Sequence, residues 1–321
     1  MSDNKAMNKT PLASVVFLEK NAGSEFEKVL EMVFAQQADF PFEVIAIDSG
    51  STDGTWELLD KFPIRKIRIK PYEFMHGRTR NYAMELAKGR IVVFLVQDAL
   101  PVGRKWLSDL TAPLRNGLKK TNSRIAGVTG RQIPPENLPL PQEYYVQHSH
   151  AEAERPMILD KVPTIFGPGK IWFSNVCSAI DKKAWRQVNF PDVVMSEDQA
   201  WTIEVLKRGW TLAYEPKATV KHGHALSLMA LFKRNVDSGA SFASLGTVVP
   251  SIGSGKNWRW LADEIKFGFN KQGLSGAFYV MAYELTRFIG FQTGYRRFVP
   301  WQIKKTFSVV PQWYGRSKSN H

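Results

Sequence analysis

Between residues 13 and 130, short runs of β-branched and aromatic residues alternate with longer stretches of helical spacing, and this alternation leaves few folds open. Ala13–Leu18, Glu43–Ile47, Lys66–Ile69, Ile91–Val96 and Ile125–Thr129 read as strands. Between them Glu25–Gln36, Thr55–Phe62, Arg78–Lys88 and Trp106–Leu118 carry the 3.6-residue period of helices. Gly89 stands where a left-handed C-terminal cap is expected. Strand, helix and strand in succession need crossover connections, so the class is α/β with a mainly parallel sheet flanked by helices. Ligands of such sheets bind beyond the carboxyl ends of the strands. The segments after Ile47 and Val96 are therefore the first places to look for chemistry, and both carry acidic residues.

From Gln132 to Lys170 the pattern lapses into irregular sequence with seven prolines, which reads as a long loop or insertion over the sheet. Regularity returns with a strand over Trp172–Ile180, a helix over Glu197–Lys207 closed by Gly209, and short strands at Thr211–Tyr214 and Ala218–Lys221. Apolar residues make up 44% and charged residues 23% of the 321, ordinary globular usage that argues against wholesale disorder. The net charge of +13 points to an anionic partner: nucleic acid, an acidic bilayer or a phosphorylated ligand. A single cysteine, Cys177, excludes an internal disulfide framework and a thiolate metal cluster, and favours a reducing, cytosolic compartment. The polar start Met1–Thr10 shows no secretory signal, and no run reaches the roughly 18 apolar residues of a membrane span.

Four motifs carry potential chemistry. In Phe42–Thr55 a buried strand runs into the turn Asp48-Ser49-Gly50-Ser51-Thr52-Asp53-Gly54-Thr55, where Asp48 can accept the imide N–H of uracil or thymine and Asp53 suits helix capping. In Phe74–Asn81, His76-Gly77-Arg78-Thr79-Arg80-Asn81 opens a helix whose free N–H groups favour anions, with Arg78 and Arg80 adding charge; a solvated basic face is the alternative, and His76 could merely cap or pack. The third is the apolar strand Ile91–Val96, which ends at Gln97-Asp98, where one carboxylate could hold Mg²⁺ or Mn²⁺ against a diphosphate if other ligands join it. Last come the paired acids Glu197-Asp198 at a helix start, followed by His222-Gly223-His224, whose histidines could reach a metal from an extended segment or simply be satisfied side chains. Adjacent carboxylates point in different directions, so one can orient while the other serves as a general base.

Taken in order, Asp48 to Thr55, Arg80-Asn81, Phe94-Leu95 through Asp98, Glu197-Asp198 and a late His resemble the inverting glycosyltransferases of family two, over about residues 11–235. The segments His76–Asn81, Gln97–Pro101 and His222–His224 are similar, more narrowly, to bacterial rhamnosyltransferases of cell-surface polysaccharide synthesis. The resemblance implies a GT-A (Rossmann-like) catalytic domain over 11–235, with a helical extension over 236–321. It implies that Asp48 contacts the nucleobase and that Gly50, Arg78, Arg80, Asn81 and Gln97 belong to the donor site, Arg80 on the diphosphate. By the same resemblance Asp98 is a metal ligand that His222 or His224 completes. Asp198 is then the catalytic base, and Glu197 and Trp201 face the acceptor, Trp201 against a sugar ring. The family's Asp-x-Asp motif has Val96 at its first position here, which bears on metal dependence. The implied cofactor is a divalent cation, Mg²⁺ or Mn²⁺, and the implied donor is dTDP-L-rhamnose. The acceptor is a saccharide or lipid-linked saccharide.

Residues 251–321 carry eleven Lys and Arg against Asp263, Glu264 and Glu284, interleaved with aromatics such as Trp258, Trp260, Phe298 and Trp301. Such a pattern suits the interface of an anionic bilayer, and hence a peripheral position on the inner face of the cytoplasmic membrane; a helical cap on the catalytic domain is the other reading. A nucleic-acid-binding protein would share the charge, but no helix-turn-helix, zinc-finger or RNA-recognition signature is present, and none is expected as a partner. An inactive GT-A-like binding module, suggested by Val96, is the remaining alternative.

Overall fold

The computed structural model describes residues 10–117, 124–136, 138–150, 156–161, 173–223, 226–245 and 255–314. Four strands of the amino-terminal half, β1 (Ala13–Glu19), β2 (Phe42–Asp48), β3 (Arg65–Arg68) and β4 (Ile91–Leu95), pair in parallel in the order β3-β2-β1-β4. Their connections are α1 (Glu25–Phe34), the short α2 (Thr55–Leu58) continued by a 3₁₀ turn, and α3 (His76–Leu86). The strands are apolar on both faces because helices cover both. Val15 and Phe17 of β1 meet Phe26, Val29 and Leu30 of α1 on one side, while Val16 joins Ile45, Ala83 and Met84 on the other.

Beyond β4 the sheet becomes mixed. After the two-residue β5 (Leu100–Pro101) and α4 (Trp106–Asn116), the order continues from β4 through β8 (Cys177–Asp181), β6 (Ile125–Ile133) and β9 (Thr211–Lys221) to β5. β8 is antiparallel to β4 and to β6, and β9 is parallel to β6. The carboxyl ends of β1, β2, β4, β6 and β9 and the amino end of β8 therefore share one edge. The α/β class read from the sequence holds, with the parallel character concentrated in β1 to β4.

Several local expectations need correction. Gly89 does not have a left-handed backbone. A Cβ there would lie 2.6 Å from the carbonyl carbon of Ala13, so close approach of the chain to β1 requires the glycine. Gly209, expected only to close the helix over Glu197–Lys207, has the left-handed conformation, with φ +76°. The segment from Gln132 onward is not all loop: it holds the end of β6, α5 (Leu140–His150) and β7 (Met157–Leu159), which pairs with β9. The strand expected from Trp172 begins only at Cys177, Trp172 itself lying outside the described residues. The two short strands expected after Gly209 are one strand, β9, whose register against β6 slips between Glu215 and Thr219 around Pro216.

After α6 (Lys182–Gln187) and α7 (Glu197–Lys207), the carboxyl-terminal part is helical: α8 (Leu228–Ser244), α9 (Gly255–Tyr295) and α10 (Trp301–Thr306). α9 is a hairpin, broken at Gln272 and at Gly273 with its φ of +63°. Gly268 of the first arm touches Gly276 and Val280 of the second, contacts that a straight helix could not make. The division expected at 235/236 falls inside α8, whose backbone packs on the second arm through Gly239, Gly290 and Gly294. A Cβ on Gly294 would overlap the Val236 carbonyl oxygen. Gly294→Ala should consequently cost about 1–3 kcal/mol of stability, read as a lower urea midpoint; an unchanged midpoint would show that the two helices can part freely.

Candidate active site

The turn after β2 is built around Asp48. Its side chain is fully buried, and Oδ1 accepts from the N–H of Gly50 at 2.6 Å and of Ser51 at 2.9 Å, with Arg68 Nε at 3.4 Å. Arg68 lies over the Trp56 ring, 4.2 Å from its centroid. Oδ2 is buried and has no hydrogen-bond partner. Gly50 has φ +92°, and a Cβ there would stand 2.8 Å from Pro71 Cγ, so its part is to make the turn. Asp53, expected to cap α2, stands one residue before the N-cap Gly54 and instead closes a local turn, accepting from Thr55 N at 3.1 Å and Thr55 Oγ1 at 2.6 Å.

Hydrogen bonds link this turn to the end of β4 and on to α7. Asn21 connects to Ser51 and Thr52, and the Lys20 N–H donates to Gln97 Oε1 at 3.0 Å. The Val96 N–H donates to Val176 O at 3.1 Å, and next to Val176 the Asn175 N–H donates to Asp198 Oδ2 at 3.2 Å. Asp48, Asp98 and Asp198 thus sit on one connected rim at the carboxyl edge of the sheet. Gln97, expected at the donor, ties its side chain to both polar groups of the Lys20 backbone.

Asp198 and Glu197 divide their roles through their surroundings. Ser196 precedes them with φ +60°, a left-handed conformation uncommon for a residue with a side chain, and this turns the start of α7 toward the rim. Glu197 is buried, and Oε1 accepts from Arg80 Nη1 at 3.0 Å and Asn175 Nδ2 at 3.1 Å. Burial works to raise its carboxyl, but Arg80, His76 and Asn175 outweigh it and hold Glu197 below the usual range. Asp198 keeps part of its surface open, and Oδ1 accepts from the Gln199 N–H at 2.8 Å. Loss of solvent around it, and next the charge of Glu197, push its carboxyl up to about 7. His76 is pushed down to about 4, chiefly by burial, and is neutral.

Some expected site residues have other employment. Arg80 is committed to Glu197 rather than standing free for a diphosphate. The amino end of α3 packs against Pro191 and Glu197, so the anion at that helix start is Glu197. Arg78 pairs with Asp192. Asn81 is spent on structure: Nδ2 donates to Phe190 O, and Oδ1 accepts from Trp185 Nε1 and Phe190 N. Trp201 presents no ring to an acceptor, for it is fully buried between Phe173 and Phe190 and donates to Val188 O.

Of the expected metal ligands, Asp98 and His222 come together, with Oδ1 and Nε2 3.7 Å apart and His222 Nδ1 3.1 Å from Gln132 Oε1. Two donors at that separation can share one divalent cation, and Gln132 orients the ring from behind. His224 lies outside the described residues, among which no group of three or more His, Cys, Asp or Glu gathers as a metal site. Asn175, which holds both acids of α7, had no motif to mark it. Glu19 was likewise missed: it closes β1 beside Asp48 on the same face, buried, with neither carboxyl oxygen hydrogen-bonded. Burial and then the Asp48 charge raise its carboxyl well above its ordinary value.

Residues 14–164 match the family model described as Glycosyl transferase family 2. The O-antigen chain rhamnosyltransferase WbaN of Salmonella anatum is 26% identical over 297 residues, covering 91% of this chain and 90% of the relative. The O-antigen chain rhamnosyltransferase RfbN of Salmonella typhimurium is 28% identical over 291 residues, 88% of each. Among solved structures, glucosyl-3-phosphoglycerate synthase of Mycobacterium tuberculosis in complex with Mn²⁺, UDP and glucosyl-3-phosphoglycerate superposes with a TM-score of 0.53 at 19% identity, over 76% of this chain and 82% of that one. The mannosyltransferase PcManGT from Pyrobaculum calidifontis, in complex with GDP-Man and Mn²⁺, gives a TM-score of 0.50 at 15% identity, over 96% of this chain and 86% of that one. These structures share the GT-A fold with the chain. With the acids at 48, 98 and 198 on one rim, the family match over residues 14–164 and the relatives aligned over most of their length point the same way: the chain carries a Glycosyl transferase family 2 region and is a glycosyltransferase.

Proposed function

We propose that the protein transfers L-rhamnose from dTDP-L-rhamnose to a saccharide or lipid-linked saccharide in surface polysaccharide synthesis, with inversion at the anomeric carbon. The observation that carries the chemistry is the partly open Asp198 carboxyl, held by two backbone N–H groups and lifted to about 7 beside the fixed charge of Glu197. A base of that affinity takes a hydroxyl proton near neutral pH. Asp198 accepts the proton of the acceptor hydroxyl, that oxygen bonds to the anomeric carbon, and the bond to the nucleoside diphosphate breaks on the opposite face. No covalent enzyme intermediate forms. Asp48 is assigned to the imide N–H of thymine or uracil, which its turn must open to admit, and the rhamnosyltransferase relatives favour the sugar.

Asp98 and His222 would hold a divalent cation, as the Mn²⁺ complexes of the structural neighbours suggest. When bound, Mg²⁺ or Mn²⁺ neutralises charge on the departing diphosphate. This matters more here because Arg80 and the start of α3 already serve Glu197. The test is a panel of nucleotide sugars with an acceptor extract, with and without Mn²⁺, read as nucleoside diphosphate released. dTDP-L-rhamnose should be turned over best, and Asp98→Asn should raise the Mn²⁺ concentration for half-maximal rate about tenfold or more. Preferred turnover of another donor ends the rhamnose reading, and a rate indifferent to Mn²⁺ and to chelator ends the cation site.

A further inference from the structure

The second arm of α9 shows a face that nothing among the described residues covers. From 274 to 289 its exposed positions are Leu274, Ser275, Phe278, Met281, Ala282, Leu285, Phe288 and Ile289, so apart from Ser275 the face is apolar and uncharged. Leu274, Phe278 and Leu285 are 69%, 64% and 58% exposed. The spacing 274, 278, 281, 285, 288 keeps them on one stripe of the helix. A continuous patch of large apolar side chains on a soluble surface marks an interaction site. No helix among the described residues is long and apolar enough to cross a membrane, so the stripe is not part of a span.

Charge selects the occupant. Arg296 and Arg297 are exposed just past one end of the arm and Lys305 follows in α10, while at the other end Lys271 pairs with Glu143 at 3.2 Å. Of the acids in 255–314, Glu264 is buried, Glu284 pairs with Arg287, and only Asp263 is exposed. A second copy packed along this stripe would set Arg296, Arg297 and Lys305 against a face whose exposed positions from 274 to 289 carry no carboxylate. An anionic lipid surface complements the end with Arg296, Arg297 and Lys305 and takes the apolar stripe beside it. Phe298, 82% exposed, and the exposed Trp301 follow the arm in sequence, aromatic rings of the kind that favour the headgroup level.

We infer that the stripe Leu274–Ile289, with its cationic flank, is the surface by which the protein docks on anionic phospholipid. The docked face is tied to the base. α8 packs on the second arm through Gly239, Gly290 and Gly294, and Ser241 Oγ of α8 accepts from the Met195 N–H at 2.9 Å, while Ser238 Oγ lies 3.3 Å from Ser196 Oγ. Docking therefore fixes α7 and Asp198 relative to the bilayer. It adds to the proposed function the surface that brings a lipid-linked acceptor to the site, and rests on that reading only for this purpose.

The test is flotation of the full chain with vesicles of phosphatidylethanolamine and phosphatidylglycerol, against pure phosphatidylcholine, without any sugar nucleotide. The outcome is thus independent of which donor is used. The protein should float with the anionic vesicles at low salt, with at least tenfold weaker partitioning in 0.5 M NaCl. F278E/L285E should weaken it at least tenfold with an unchanged circular dichroism spectrum and melting temperature, since both side chains are exposed. R296Q/R297Q should weaken it on anionic vesicles alone. Equal binding to phosphatidylcholine, unchanged binding of F278E/L285E, or a wild-type dimer that F278E/L285E converts to monomer would each overturn the inference.

Discussion

Asp198→Asn should lower the transfer rate by about 10²–10⁴-fold and leave nucleotide binding nearly intact, because the proposed role of Asp198 is that of base toward the acceptor hydroxyl. The same variant should be more stable than the parent at pH 8. Its folded carboxyl binds its proton up to about pH 7, against an ordinary value of 3.8. Through that window the unfolded chain releases the proton first, so stability falls as pH rises from about 4 to about 7. Asparagine has no such proton to lose. Melting temperatures should coincide near pH 4, where both side chains are neutral, and diverge in favour of the variant above pH 7. A variant that is both inactive and less stable at pH 8 would mean that Asp198 is structural. In the parent, kcat should rise with pH through about 7 as the base ionises. Glu197→Gln, by removing the neighbouring charge that helps raise Asp198, should move that limb to lower pH.

Local pattern disclosed the first half of the sheet because each strand there is apolar on both faces and each helix follows it directly. Ile91–Leu95 needs no partner information to be read as a covered strand. The far half was less legible: β8 reaches its place between β4 and β6 from a long irregular segment, and the period of five residues says nothing of direction. The acids at 48, 98 and 198 were visible because each follows a strand or opens a helix. What they touch was not. Asn81 sits beside Arg80 in sequence, yet it bonds to residues 104 and 109 positions away. Trp201, one turn after Asp198, faces the core because Phe173 and Phe190 arrive there from elsewhere. Asn175 has no periodic signal at all, since its role comes from the amino end of an antiparallel strand meeting the start of α7. Glu19 could have been noticed as an acid directly closing the apolar run Ala13–Leu18.

Arg80→Met should destabilise the protein by about 3–5 kcal/mol at pH 7, the cost of leaving one member of a buried ion pair alone. The side chains of Arg80 and Glu197 are only 8% and 6% exposed, so water cannot replace the guanidinium. Methionine keeps the volume and the contact with Phe94 that Arg80 makes over its ring, so packing changes little and the loss reports the orphaned Glu197. Its carboxyl, held low by Arg80 in the parent, contributes stability that is present above about pH 4 and lost as pH falls through its depressed folded value. The deficit of the variant should therefore shrink toward acid pH, where Glu197 takes up a proton. Glu197→Gln added to Arg80→Met removes the buried charge and should recover most of the loss at pH 7. Urea midpoints of the parent, both single variants and the double variant close the cycle. A loss below about 1 kcal/mol for Arg80→Met, the scale of an exposed pair, would show that Glu197 is solvated or shared with other donors. Arg80 would then be free for the diphosphate after all.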